Sequence, residues 1–228
     1  APSLDNFSQL FDSNQPILRW LANRGIVSIG STIGVLIVCS LAGYSFSRMR
    51  FRGRDTIFWS LIATMLIPGW TTLVPLYVWT RILDIHNTYW VLILPGMASP
   101  FAVFLCRQFI VTLPGELFDA ARVDGCSELG LWARIALPLS KPVLAVLGIF
   151  TFIAQWNDFL WPLVVIDKPE LFTIQVGVVT LQSFIEGAGP QYGLIMATAV
   201  TLSLPPIVAF LIMQRYLVQG LTIGALKG

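Results

Sequence analysis

Charge is scarce in this sequence: Asp, Glu, Lys and Arg make up only 11% of its 228 residues, against about 25% in ordinary soluble domains. That shortage excludes a water-facing globule of usual composition. Histidine occurs once, at His86, and the three cysteines, Cys39, Cys106 and Cys126, are odd in number and unpaired in spacing. Neither a disulfide framework nor a zinc site follows from such a set. No G-x-x-x-x-G-K-[ST] run is present, so nothing in the chain cradles a nucleotide phosphate. Asp158 and Glu186 lie far apart in the chain and far from His86, which leaves no nucleophile, base and acid for an intrinsic enzyme. A net charge of +2 supplies no broad basic field for nucleic acid. The first residues, from Ala1, lack the charged-then-apolar layout of a secretory signal.

What the sequence has in abundance is apolar side chains, 56% of all residues. Segments at roughly 25–47, 56–80, 88–110, 142–166 and 194–218 each offer the run of about 20 residues that a helix needs to cross a hydrocarbon layer. We therefore expect an all-α, polytopic membrane bundle, one transmembrane domain over 1–228. Its segments would be an outer stretch 1–24, the spans, an inner loop 111–141, an outer loop 167–193 and an inner tail 219–228.

The cations set an orientation. Arg48, Arg50, Arg52, Arg54, Arg107, Arg122, Arg134, Lys141, Arg215 and Lys227 fall on one side of these spans, ten of the fourteen Lys and Arg. Arg19, Arg24, Arg81 and Lys168 fall on the other. Loops rich in Lys and Arg stay in the cytoplasm, which places the N-terminus outside and the C-terminus inside. An outside start calls for an earlier membrane entry, and a sixth span upstream of Ala1 is expected.

Several spans contain prolines: Pro68, Pro75, Pro95, Pro100, Pro162, Pro205 and Pro206. Each removes a backbone donor and crowds the preceding turn, so kinked or opened helices are expected. Two readings stand, packing kinks or a substrate path whose neighbours satisfy the freed carbonyls. Gly30 and Gly34 form a small-xxx-small spacing that suits close helix approach.

Residues 118–138, FDAARVDGCSELGLWARIALP, break the apolar pattern. Pro114 and Gly115 open a helix with Glu116 and Asp119 near its positive dipole end. Asp124-Gly125 stops it, Gly125 being able to take left-handed backbone. Ser127 can cap a second helix through Leu129, Trp132 and Ile135 that closes at Pro138. The result is a helix-turn-helix elbow, either a docking knob for another protein or simply a folded loop.

Asp158 is the notable ionisable residue at membrane depth, beside Gln155, Trp156, Asn157 and Trp161. A charge there faces a protein or water-filled interior. It either pairs with a neighbouring helix or lines a path. The loop 167–193 is punctuated by Gly187, Gly189 and Pro190; its residues suit a helix lying at the membrane interface, anchored by Phe184 and Tyr192.

The spacing Asp119-Ala120-Ala121, then Gly125, Ile135 and Leu137-Pro138, resembles the EAA loop of binding-protein-dependent ABC importer permeases. Asp119 stands where the pattern usually has Glu, which keeps the charge and shortens its reach by one methylene. QWNDFLWPL at 155–163 and QRYLVQGLTIGALKG at 214–228 resemble the MalG-like carbohydrate-importer branch, as do FSQLF at 7–11 and FRGR at 51–54. The resemblance implies a type I importer permease of the MetI-like fold, five spans here and a sixth upstream.

It further implies a multi-pass place in the prokaryotic cell membrane with the C-terminus cytoplasmic. Its partners would be a second, MalF-like permease subunit, two ATP-binding cassette ATPases and an external solute-binding protein, with membrane lipid around it. No cofactor would sit on this chain, ATP and magnesium belonging to the ATPases, and no metal or nucleic acid is expected. Asp119, Ala120, Ala121, Asp124, Gly125, Ile135 and Pro138 would couple to an ATPase, with Gln214 and Arg215 in the tail near the ATPase pair. Gln155, Trp156, Asn157 and Asp158 would border the substrate path, and the loop 167–193 would face the external binding protein instead of lying at the interface. Sugars or polyols are the expected solutes; glycerol phosphate is the alternative within the branch. An ion-coupled transporter is the alternative outside it, which expects an interior relay of ionisable groups and repeated halves.

Overall fold

The computed structural model describes residues 4–12, 16–185 and 192–225. Glu186, Gly187, Gly189, Pro190 and Lys227 lie outside the described residues, as do the side chains of Phe184, Tyr192 and Arg215. All regular elements among the described residues are helical. A chain this apolar must satisfy its backbone within each segment, and the helix does so.

In chain order the helices are α1 Asp5–Asp12, α2 Ile17–Arg48, α3 Arg54–Ala63, α4 Leu73–Ile82, α5 Tyr89–Met97, α6 Pro100–Val111 and α7 Gly115–Val123. Then follow α8 Glu128–Leu131, a π-helical turn Trp132–Ala136, α9 Leu137–Leu139, α10 Lys141–Asn157, α11 Leu160–Val165, α12 Ile174–Ile185 and α13 Tyr192–Ala225.

Two helices are long and apolar enough to cross a membrane, α2 and the stretch Ile195–Ile212 of α13, and the number rises to five if each of three bent pairs is one span. Helix ends and expected span ends fall at different residues in several places. The helix over the first expected span begins at Ile17, with Ile17 and Trp20 buried on its opening turns. The second is broken between Leu66 and Gly69 with a bend of 100° at Pro68. The third bends by 44° between Met97 and Pro100, where Ser99 caps α6 by accepting from the amide of Ala102 at 3.2 Å. The fourth does not run through 142–166: α10 stops at Asn157 and the chain resumes as α11 at Leu160. The last helix continues to Ala225, past the expected end at 218.

By their contacts the residues divide into two compact units. One comprises Ala1–Ser31, Leu73–Pro95 and Phe152–Ile212. Its core includes Leu10, Ile17, Trp20, Ile174 and Val178. Asn23 ties α2 to the stretch before α12, donating to the carbonyls of Glu170 and Phe172 at 2.9 Å and accepting from the Tyr89 hydroxyl at 2.6 Å. His86 meets Asp167 at 2.8 Å through Nε2, beside a turn in which Asp84 and Asn87 adopt positive φ.

The other unit comprises Thr32–Thr72, Gly96–Thr151 and Met213–Gly228. Val35, Cys39, Tyr44, Cys106, Ile110, Phe118, Leu131 and Leu147 are among its core residues. Gly34 lets α2 pack closely here: a Cβ at that position would lie 2.5 Å from the Met97 side chain.

Candidate functional site

The elbow belongs to the second unit. Its first arm, α7, ends in a Schellman motif: the amide of Cys126 donates to the carbonyl of Ala121 at 2.9 Å and that of Gly125 to Arg122 at 3.0 Å. Gly125 has φ +81°, the left-handed backbone that the stop requires. Ser127 then caps the second arm, its hydroxyl accepting from the amide of Gly130 at 3.2 Å. That arm closes at Leu139, one residue beyond Pro138, with the π turn just ahead of the proline. In a regular helix the Pro138 ring would crowd the Arg134 carbonyl, and the wider turn relieves that clash. The elbow then meets α10 at a bend of 80°.

Charge and aromatic contacts make the elbow stiff. Arg122 donates from Nη1 to Asp119 and from Nε to Glu128, both at 3.0 Å, bridging the two arms. The Tyr44 hydroxyl of α2 donates to the other Glu128 oxygen at 2.5 Å. The bond from Arg122 is the main cause that holds the Glu128 carboxyl below its usual range. Arg48 donates to the carbonyls of Ile110 at 2.8 Å and Leu113 at 2.5 Å, and its guanidinium lies 4.6 Å from the Phe118 ring centre. Phe118 is itself buried. These contacts tie the elbow to the end of α2.

Expected coupling residues fall into two groups. Asp119, Ala120, Asp124, Gly125 and Pro138 are exposed. Ala121 and Ile135 pack against the core and hold the elbow from beneath. The sequence reading missed Val123, 89% exposed, and Leu129, 61% exposed, which offer apolar surface beside the turn. Gln214 is exposed.

The residues expected along a path lie in the first unit, where the side chains of two of the four, Trp156 and Asp158, bond within the protein. Trp156 is buried and donates from its indole to the carbonyl of Leu202 at 3.0 Å. Trp161 donates to the carbonyl of Val91 at 2.9 Å. Arg24, fully buried, donates from Nε to the carbonyl of Trp156 at 2.7 Å and from Nη2 to that of Asp158. The two indoles share a purpose. Leu202 and Val91 lie within helices and each precedes a proline by four residues, Pro206 and Pro95, so their carbonyls have no i+4 amide. The indoles replace the missing donors, while Arg24 satisfies carbonyls at the break between α10 and α11. Trp156 also stacks on Phe152 at 5.7 Å. Gln155 and Asp158 are half-buried and Asn157 is exposed. Among the described residues no three His, Cys, Asp or Glu side chains gather as metal ligands.

Residues 28–223 match the family described as binding-protein-dependent transport system inner membrane component. The chain belongs to that family. It is a membrane protein, and the elbow and the two donor indoles are features of this transport component. It is similar to the arabinooligosaccharides transport system permease protein AraQ of Halalkalibacterium halodurans, 37% identical over 226 residues, 99% of this chain and 80% of that protein. It is also similar to the sn-glycerol-3-phosphate transport system permease protein UgpE of Pectobacterium atrosepticum, 37% identical over 210 residues, 92% of this chain and 74% of that one. Among solved structures it resembles a bacterial ABC transporter involved in the import of the acidic polysaccharide alginate, with TM-score 0.82 and 21% identity over 92% of this chain and 78% of that chain. That likeness shows the fold.

Proposed function

We propose that this transport component is the permease subunit of an ATP-driven importer of oligosaccharides, working with a second permease subunit, two cytoplasmic ATPases and an external solute-binding protein. The observation that carries this reading is the stiff elbow, its two arms bridged by Arg122 and its turn flanked by exposed Val123 and Leu129. A rigid projection with an apolar tip transmits a partner's displacement, where a loose loop would absorb it. Asp119, Ala120, Val123, Asp124, Gly125 and Leu129 form the surface that an ATPase grips, and the tail around Gln214 and Arg215 lies near the ATPase pair. The C-terminus is cytoplasmic, in line with the excess of Lys and Arg in the elbow and in the 48–54 connection. ATP and magnesium are held by the ATPase chains.

Oligosaccharide import rather than glycerol phosphate import is favoured by the match to AraQ, which spans 99% of this chain. Reconstituting the complex in vesicles tests both parts. Uptake of labelled arabino-oligosaccharide should require ATP and the binding protein, and glycerol phosphate should not compete. ATP-independent uptake driven by an ion gradient would refute the importer reading.

A further inference from the structure

Arg48, Arg50, Arg52 and Arg54 crowd the connection between α2 and α3, with Asp55 following. Two of the four are engaged. Arg48 is bound to the carbonyls after α6, and Arg54 pairs with Asp55 at 3.0 Å. Arg50 and Arg52 are exposed and form no ion pair among the described residues. Arg50 lines two clefts that share Arg54, one of about 650 Å³ that also takes in Arg48 and Arg122, the other of about 440 Å³ formed with Phe51, Gly53, Thr56 and Asp55, whose carboxylate is the one paired with Arg54. Asp119 and Glu128, the acids on the larger cleft, are both already bound to Arg122. Nε of Arg48 is buried without a hydrogen-bond partner.

The neighbours of these cations are apolar and open. Phe51, between the two unpaired arginines, is 41% exposed, and Ile57 and Trp59 on the first turns of α3 are 51% and 63% exposed. A carboxylate from a protein partner needs only the cations. A ligand carrying both a phosphate and hydrocarbon fits cations and apolar side chains together.

We propose that the Arg50 clefts bind the headgroup phosphate of an anionic phospholipid, its acyl chains lying along the exposed face of α3. Guanidinium groups match phosphate oxygens in pairs. Clusters of cations next to a membrane span draw anionic lipid, and indoles such as Trp59 favour the headgroup level. The site stands independently of which solute the protein carries.

Native mass spectrometry of the purified full-length chain in its complex tests this, with phosphatidylglycerol or phosphatidylcholine added at equal concentration. Wild type should retain phosphatidylglycerol in preference by about tenfold, and Arg50→Gln should lose most of that preference. Arg50→Lys, which keeps the charge without the fork, should fall between. Millimolar inorganic phosphate should not displace the lipid. Equal retention of the two lipids, or unchanged preference in Arg50→Gln, would overturn the proposal. Displacement by inorganic phosphate alone would also overturn it, as the mark of a free-phosphate site. Arg50 is exposed, so unchanged thermal unfolding is expected for both variants. If Arg50→Gln does not assemble, Arg50→Lys and phosphate competition on the wild type decide the matter.

Discussion

Trp161 donates its indole N–H at 2.9 Å to the carbonyl of Val91, which Pro95 leaves without an amide four residues on. The same substitution of a side-chain donor for a missing backbone donor recurs at Trp156 with Leu202. Within a membrane span an unpaired carbonyl is costly, and these two indoles let the chain keep its prolines.

Trp161→Phe should destabilise the protein by about 1–3 kcal/mol, the usual effect of leaving a buried acceptor unpaired. Pro95→Ala restores an amide for Val91 and should rescue most of that loss. Thermal unfolding of both single variants and the double variant measures the coupling. Additive effects would contradict the assignment.

Arg24→Met strips the carbonyls of Trp156 and Asp158 of a shared donor at the end of α10 and should cost about 3 kcal/mol or more. Arg24→Lys keeps the charge but not the fork and should recover only part of it. The yield of assembled complex after extraction is a direct readout; full yield with Arg24→Met would show that the guanidinium is dispensable.

Gly125→Trp meets open space, since no atom lies within 4 Å of a Cβ there, but φ +81° strains any side-chain residue. Folding should tolerate this, at about 1 kcal/mol. The bulky ring would stand on the exposed turn, so membrane insertion should persist while uptake falls and ATP hydrolysis runs uncoupled. Full uptake would remove the turn from the coupling surface.

The bridge from Arg122 to Glu128 gives a pH signature. Glu128 has a depressed pKa in the folded protein, chiefly through the hydrogen bond from Arg122. Its contribution is therefore complete above the unfolded carboxylate pKa of about 4.3 and is lost as pH falls through the lower folded value. Glu128→Gln should quicken amide exchange in the elbow at pH 7, by an amount within about 1 kcal/mol for an exposed pair. The difference from wild type should vanish once pH falls below the folded pKa. A difference that persists at low pH would mean that packing, not charge, holds the arms.

Much of this architecture was legible in the residues. The elbow follows from Gly125, Ser127 and the acids near the start of α7, because turn and cap chemistry is local. Bends at Pro68 and Pro100 follow from the same kind of rule. Arg24 was less legible: counted in an outer loop, it lies buried within α2, and only its contact with residues 156–158 explains why a cation is tolerated there. The break after Asn157 and the inward commitment of Trp156 likewise depend on partners distant in sequence, Leu202 and Arg24. A lone arginine in an apolar run was the available signal, and so were tryptophans accompanying prolines.

The central claim is that an ATPase grips the exposed tip of the elbow. Val123→Cys, at a position 89% exposed, with Cys126→Ser in the same chain and Cys39 and Cys106 buried, directs a short bifunctional crosslinker to that tip. Crosslinking in intact membranes should yield a single adduct with the ATPase, whose yield changes when ATP is bound. Absence of any ATPase adduct, or labelling of the thiol introduced by Val123→Cys with an impermeant reagent from outside the cell, would contradict the account.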